Sequence, residues 1–423
     1  MISRRSFVAL QHRNYRLIWI GLFASFSGSM MQNAGLLWHV SLLVAPDRKG
    51  LALGMVGLVR FAPIVVFSMI SGVVADAWNR RKVLLFTQIA ATAVAITLAI
   101  LTFRGLTQVW PLYVLAALGS AVGAFDLPAR GALVPTLVPR EHLPNAISLN
   151  TIMFQTASVV GPSVGGLLIA STSVGWVYVA NAISFGFVIV ALLMMRDVPA
   201  HPPSAAGSRD DVSWRAAMEG LQFVFRSPLI RSTMLLDFFA TFFSSATALL
   251  PIFAQDVLMV GAKGYGWLYA APAVGAMVTS AALIPLIDRV ERRGATLLWA
   301  IGGYGLATVV FGISRSFWLT FVCLMLTGAT DTVSMVIRNV IRQLETPDRL
   351  RGRMMGVNMV FFQGGPQLGE LEAGAAANWL GAPFSVVSGG IGCLIATGWV
   401  AGATPALRRY RRHETTETTE TTG

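Results

Sequence analysis

Four acids fall where acids are rare. Asp237, Asp331, Glu370 and Glu372 lie inside long apolar runs, and a carboxylate in such a run is retained to bind a ligand, to pair with a cation or to carry a proton. Asp237 has apolar neighbours on both sides and lies roughly 15 Å from the start of its run at the helical rise of about 1.5 Å. It is the first choice for taking and releasing a proton as its surroundings change. Glu370 and Glu372 stand two residues apart, so they point to different sides of a helix and one of them faces any cavity. Amides add a second chemistry. Gln155 and Gln363 fall near the middle of their runs, where each can hydrogen-bond a ligand or a neighbouring helix; Gln32, Asn33 and His39 bring polar groups to the first run. His39 alone makes no metal site, and Cys323 and Cys393, both within apolar runs, support neither a disulfide framework nor a metal site. No cofactor is expected.

The elements that must position these groups are membrane helices. The chain has 423 residues, 55% hydrophobic and 12% charged, with a mean hydropathy of +0.65, which is far from soluble averages. A net charge of +12 suits nucleic acid when it forms one patch. Here the cations cluster in short links between apolar runs, a topology signal that argues against nucleic acid. Six runs of the length a bilayer requires, about 20 residues, fall between 16 and 195, and six more between 229 and 404. The expected fold is an all-α membrane protein of twelve transmembrane helices in two pseudo-symmetric six-helix bundles. Lys and Arg crowd alternate links and both tails, as at Arg80, Arg81 and Lys82 and again at Arg292 and Arg293, so both termini are expected on the cytoplasmic side of a bacterial inner membrane. The basic N-terminus leads into an apolar run too long for a signal-peptide core and reads as a retained first helix.

Four segments follow from this pattern: a six-helix bundle over 1–196, a cytoplasmic linker over 197–228, a second six-helix bundle over 229–405 and a disordered tail over 406–423. Within the linker, Trp214, Met218, Leu221 and Phe225 recur at helical spacing opposite Arg215, Glu219, Gln222 and Arg226. That is an amphipathic helix, either lying on the cytoplasmic leaflet or packed on the base of the bundle.

The two bundles are related. In GVVADAWNRRK and IPLIDRVERRG, Asp76, Arg80 and Arg81 are answered by Asp288, Arg292 and Arg293 at a constant offset of 212 residues. The fifth and eleventh runs align at an offset of 208, pairing Asn150 with Asn358, Gln155 with Gln363, Gly161 with Gly369 and Gly166 with Gly374. Duplication with six spans per half points to a carrier whose halves rock about a midplane site. On these residues the sequence resembles the major facilitator superfamily, from about Arg13 to Thr404. Gly72, Asp76, Arg80 and Arg81 are similar to its G-x-x-x-D-R-x-x-R-R loop between spans 2 and 3, with Ala77 in place of the usual Arg. Gly161, Pro162, Gly165 and Gly166 are similar to the GP-x-x-GG end of its antiporter motif, whose upstream glycines are replaced by Ser148 and Ala157. FDLPARGALVPTLVP at 125–139 and GPQLGELEAG at 365–374 resemble a branch of siderophore exporters and related efflux permeases.

The resemblance implies roles. Asp76 is expected to latch against the start of span 11, with Arg130 completing the network, while Arg80, Arg81 and Lys82 equally suit lipid anchoring. From spacing alone, Asp126 and Arg130 can close an i, i+4 ion pair, across a Pro128 that argues for distortion. Asp288 is the expected partner of Arg338 or Arg342, and Arg60 is expected to snorkel to the outer interface rather than meet an anionic substrate. Gly161 and Pro162, extended by Gly165 and Gly166, permit a close crossing and a bend where span 5 meets the other half. The leading expectation is a proton-coupled exporter of a small amphipathic molecule, a monomer among membrane lipids. A facilitator or importer of the same fold stands beside it, as does a non-transporting sensor or membrane enzyme. Against an enzyme, the sequence has no nucleotide loop, His cluster or Ser/His/Asp arrangement.

Overall fold

The computed structural model describes residues 4–196, 214–283, 286, 290–347 and 350–411, without the side chains of 4–6, 68–77, 214–217, 220, 351–353, 355–356, 359–360 and 363. The expected tail therefore lies mostly outside the described residues, as do 197–213 of the linker. In lipid every backbone N–H and C=O must be satisfied by the protein itself, which leaves an apolar chain of this kind only helices or a closed barrel. Helices are what the described residues form.

The first half comprises α1 (Arg13–Leu43), α2 (Lys49–Ala77), α3 (Arg80–Phe103), α4 (Trp110–Leu133), α5 (Leu143–Ser171) and α6 (Val174–Met194). After α7 (Trp214–Arg226) come α8 (Pro228–Phe243), α9 (Gly261–Leu283), α10 (Arg293–Ile313), α11 (Phe317–Glu345), α12 (Arg351–Leu380) and α13 (Ala382–Ala403). Ten of these are long and apolar enough to cross a membrane, α8 being counted with its extension to Val257. Of the other three, α7 is the short linker helix, while α1 and α12 have 31 and 30 residues and pack within the same bundles. Prolines open α4, α5, α8 and α13, where the missing N–H is one the first turn cannot use anyway. Asn79 caps α3, its side chain accepting from the N–H groups of Arg81 and Lys82, and so fixes the tight turn after α2.

The seventh apolar run is broken. It reads as one continuous span, yet α8 stops at Phe243, and the chain continues through a 3₁₀ turn at Ala246–Leu249 and a π turn at Phe253–Val257. Ser245 donates from its hydroxyl to Pro366 O at 2.9 Å, so the polar Ser244–Ser245 pair sends a hydrogen bond to α12 where a helix would keep it local.

In the first half α1 packs on α5 and α6, α3 on α4 and α6, and α2 on α4; in the second, α10 packs on α11 and α13, α9 on α11, and α12 on α8 and α13. Two seams join the halves, α2 with α12 and α5 with α9. The linker helix lies on the base of the second bundle: Val224 is buried with Ile230, Met234 and Met354. The face is not the one the spacing suggested, since Met218 and Phe225 are exposed and Phe223 and Val224 face inward.

Candidate functional site

Asp237 is not a lone acid. Arg338 of α11 reaches it at 2.5 Å, with both side chains about 2% exposed, and the same guanidinium reaches Asp331 at 3.5 Å. Asp331 and Arg338 are two turns apart on one face of α11. Neither Asp237 oxygen finds a hydrogen bond of good geometry, so charge attraction in a dry setting holds the pair. Asp331, 48% exposed, opens to the cavity between the halves. The expected partner of Arg338, Asp288, lies outside the described residues, and the two acids that do engage Arg338 come from α8 and from its own helix. Arg342 donates to Arg338 O at 3.2 Å and to Asn339 Oδ1 at 3.0 Å.

The first half carries a related arrangement. Asp126 and Arg130 form an i, i+4 ion pair on α4, nearly buried, and α4 runs unbroken through Pro128 to Leu133. Thr87 and Gln88 of α3 donate to Asp126 at 2.9 and 2.7 Å, while Arg130 lies over the Phe26 ring at 4.6 Å. Arg130 and Arg338 are separated by the same 208 residues that relate α5 to α12. Each half thus buries an arginine at one repeat position, but the first half supplies the acid from α4 and the second from α8.

The signature residues divide. Arg80 donates to Ala132 O at 3.0 Å, tying α3 to the end of α4. Arg292 is exposed and Arg293 buried. The side chains of Gly72, Asp76 and Gln363, and all of Asp288, lie outside the described residues, and with them the expected latch.

Two cavities flank the ion pairs. A cavity of about 840 Å³ opens between the halves, lined by Arg130, Asn150, Phe154 and Gln155 on one side and by Pro272, Asp331 and Met335 on the other. A second, of about 330 Å³, lies deeper and is lined by Gln32, Asn33, Arg60, Asp126, Asn181 and Gln367. Gln32 accepts from Asn181 at 2.8 Å. Arg60 therefore faces this interior, not the outer interface. The reason is azimuthal: Gly57, less than a turn earlier, is where Gln367 and Glu370 of α12 pack against α2, so that face of α2 is turned to the other half. Of the two neighbouring glutamates, Glu370 is on the seam, while Glu372 lines neither cavity. His39 is buried against the Tyr178 hydroxyl at 3.1 Å. Gln367, one turn beyond Gln363, was missed in the sequence; a cavity face of α12 marked by Gln363 and Glu370 would have included it.

The seams explain the glycines. A Cβ on Gly166 would stand 2.6 Å from Ala262 O and 2.8 Å from the Gly266 Cα; one on Gly374 would stand 2.5 Å from Gly50 O and 2.6 Å from the Gly54 Cα. Gly54 and Gly266 are 212 residues apart, so the two seams are copies of one contact. Gly161 and Gly165 serve differently, packing on α1 of their own half against Met30 and Met31.

Beyond the seams, at the end opposite both termini, Lys49 bridges to Asp256 at 3.2 Å and to Gln255 at 3.0 Å. Gln255 donates to the Ser41 hydroxyl at 2.7 Å, and the Tyr265 hydroxyl donates to Ala34 O at 2.8 Å. In the sequence Lys49 stands in a link between two apolar runs, more than 200 residues from Asp256. With Asp256 about half exposed, the bridge contributes about 0.2–1 kcal/mol. Lys49→Ala is expected to raise maleimide labelling of Ala34→Cys by a factor of up to about five, in a chain lacking Cys323 and Cys393, and the Lys49→Asp/Asp256→Lys exchange to restore normal labelling. Unchanged labelling in Lys49→Ala contradicts this.

A family described as transmembrane secretion effector matches residues 4–419. The chain is 27% identical over 402 residues to the enterobactin exporter EntS of Escherichia coli O1:K1, covering 95% of this chain and 94% of that one, and equally to EntS of Shigella boydii serotype 18. Among solved structures it is similar to a bacterial homolog of the human lysosomal transporter Spinster, in an inward-facing and unoccupied conformation, with a TM-score of 0.72, 15% identity and coverage of 94% and 98%. It is also similar to the nucleoside transporter NupG, with a TM-score of 0.69, 14% identity and coverage of 95% and 99%.

Proposed function

As the chain belongs to the transmembrane secretion effector family of the major facilitator superfamily, we propose that this multi-pass transporter is a secondary active exporter in which proton influx drives extrusion of a small amphipathic molecule, siderophore-like or drug-like, by alternating access. The face carrying both termini is cytoplasmic in this reading, and the membrane is a bacterial inner membrane. The observation that carries the coupling is the Asp237–Arg338–Asp331 network, dry at Asp237 and open to the cavity at Asp331. A proton arriving at either acid cancels one of the two negative charges that hold Arg338 between α8 and α11. With the charges unbalanced in a dry site, the packing of those helices must readjust. The likeness to exporters that share 27% of its residues supports the direction. The cavity between the halves, apolar along Phe154, Pro272 and Met335 and polar at Gln155 and Asp331, suits an amphipathic guest.

Proteoliposome flux tests it, with Hoechst 33342 and naphthalene-1-sulfonate as probes. An acidic lumen is expected to drive uptake of at least one probe about tenfold or more over the gradient-free rate. Gradient-independent equilibration supports a facilitator instead, and the absence of movement beyond protein-free vesicles supports a sensor.

A further inference from the structure

We propose that Arg60 makes the deeper cavity an anion-selective subsite, receiving the negatively charged oxygen group, a carboxylate, phenolate or sulfonate, of an amphipathic substrate whose apolar body lies along Leu36, Ile64, Val94 and Leu98. The assignment deepens the transporter reading above and rests on it.

Arg60 differs from the paired cations of the interior. Arg130, Arg338 and Lys49 each hold a carboxylate within an ion pair, whereas Arg60 forms no ion pair or hydrogen bond among the described residues and lines an open cavity. An arginine at membrane depth is retained where its charge is used, and its planar donor fork matches an anionic oxygen group better than any point charge. The surroundings add neutral groups suited to the same guest. Gln32 spends its carbonyl on Asn181, which leaves its NH₂ as a donor, and Asn33 and Gln367 line the same wall. The Asp126–Arg130 pair at another part of the wall is already neutral as a unit and does not compete.

One acid stands near. Glu370 of α12 is within electrostatic reach of Arg60, as are the hydroxyls of Tyr178, Tyr265 and Tyr269. Glu370 does not neutralise Arg60 by contact, and its Oε2 is buried without a hydrogen-bond partner beside Gly57. At a pH where it is ionised, it opposes a bound anion from the other half of the protein. Removing Arg60 and removing Glu370 must therefore move anion affinity in opposite directions.

The test is equilibrium binding to the purified full chain in nanodiscs, read by quenching of its tryptophans, with naphthalene-1-sulfonate and its uncharged isostere naphthalene-1-sulfonamide. Charge-assisted hydrogen bonds of this class correspond to about tenfold or more in affinity. The wild type is expected to prefer the sulfonate by that factor. Arg60→Gln should abolish the preference, weakening the sulfonate far more than the sulfonamide, Arg60→Lys should keep part of it, and Glu370→Gln should tighten the sulfonate. Equal affinity for the two probes, no sulfonate binding at millimolar concentration, or a preference that survives Arg60→Gln overturns the assignment. Should Arg60→Gln fail to fold, the Arg60→Lys and Glu370→Gln pair still decides by its opposite signs. The coupling reading fails separately: flux indifferent to the pH gradient, with the sulfonate preference intact, removes the proton drive and leaves Arg60 in place.

Discussion

Purified Asp237→Ala protein is expected to lose about 3–5 kcal/mol of stability, the cost of stranding one member of a buried ion pair, and to show no flux driven by a pH gradient. Arg338 is 1% exposed and cannot be solvated where it stands. Asp331 remains at 3.5 Å but is half exposed and poorly placed to compensate alone. Asp237→Asn keeps the volume and removes the charge, so it should fold better and remain uncoupled. The double variant Asp237→Ala/Arg338→Ala should recover most of the lost stability, because no charge is then left unpaired, without recovering coupled flux. Thermal melting in nanodiscs and proteoliposome flux read the two effects independently. An Asp237→Ala protein that melts like the wild type, or that still follows the gradient, contradicts the role given to this network.

Gly374→Val is expected to hold the halves apart at the face opposite the termini. The added Cβ would meet Gly50 O and the Gly54 Cα at 2.5 and 2.6 Å, backbone atoms that cannot rotate away. Overpacking of this kind costs about 1–3 kcal/mol, and it is felt only in the state in which the seam is closed. At about tenfold per 1.4 kcal/mol, the closed population should fall about fivefold to a hundredfold relative to the open one. Spin labels at Asp47 and Trp379, both exposed near this face, should report a longer distance. An unchanged distribution would show that the glycine contact does not set the equilibrium. Gly166→Val, at the copied seam, should act in the same direction.

Hydropathy told how deep each residue lies but not which way it points around its helix axis, and the misses share that cause. The runs, the duplication and the Asp126–Arg130 pair were legible because each is a statement about spacing along one chain. Depth alone offers Arg60 snorkelling to the lipid interface; its actual direction follows from Gly57, whose contact with α12 no spacing rule supplies. Asp237 looked solitary because Arg338, its partner, comes from another helix far along the sequence. No spacing singles out Lys49, because its acid, Asp256, sits beyond a break in the seventh run that hydropathy reads straight through. The linker helix is legible in its period, which leaves membrane surface and bundle base both open; Val224 faces inward in place of Met218, since the neighbours of α7 are Met354 and Met234 on the base of the bundle.

The seams at Gly50, Gly54 and Gly374 and at Gly166 and Gly266 have a mechanical consequence. At these points backbone meets backbone, with no side chains meshed like gear teeth, so one half can roll over the other as on a plain bearing. In the proposed transport cycle the bearing and the cargo hold use different residues: the glycines at the seams would carry the motion, and the side chains lining the cavities the selectivity. On the proposed reading, a change of cargo needs only new residues at Arg60 and its neighbours, with the glycine seams left as they are.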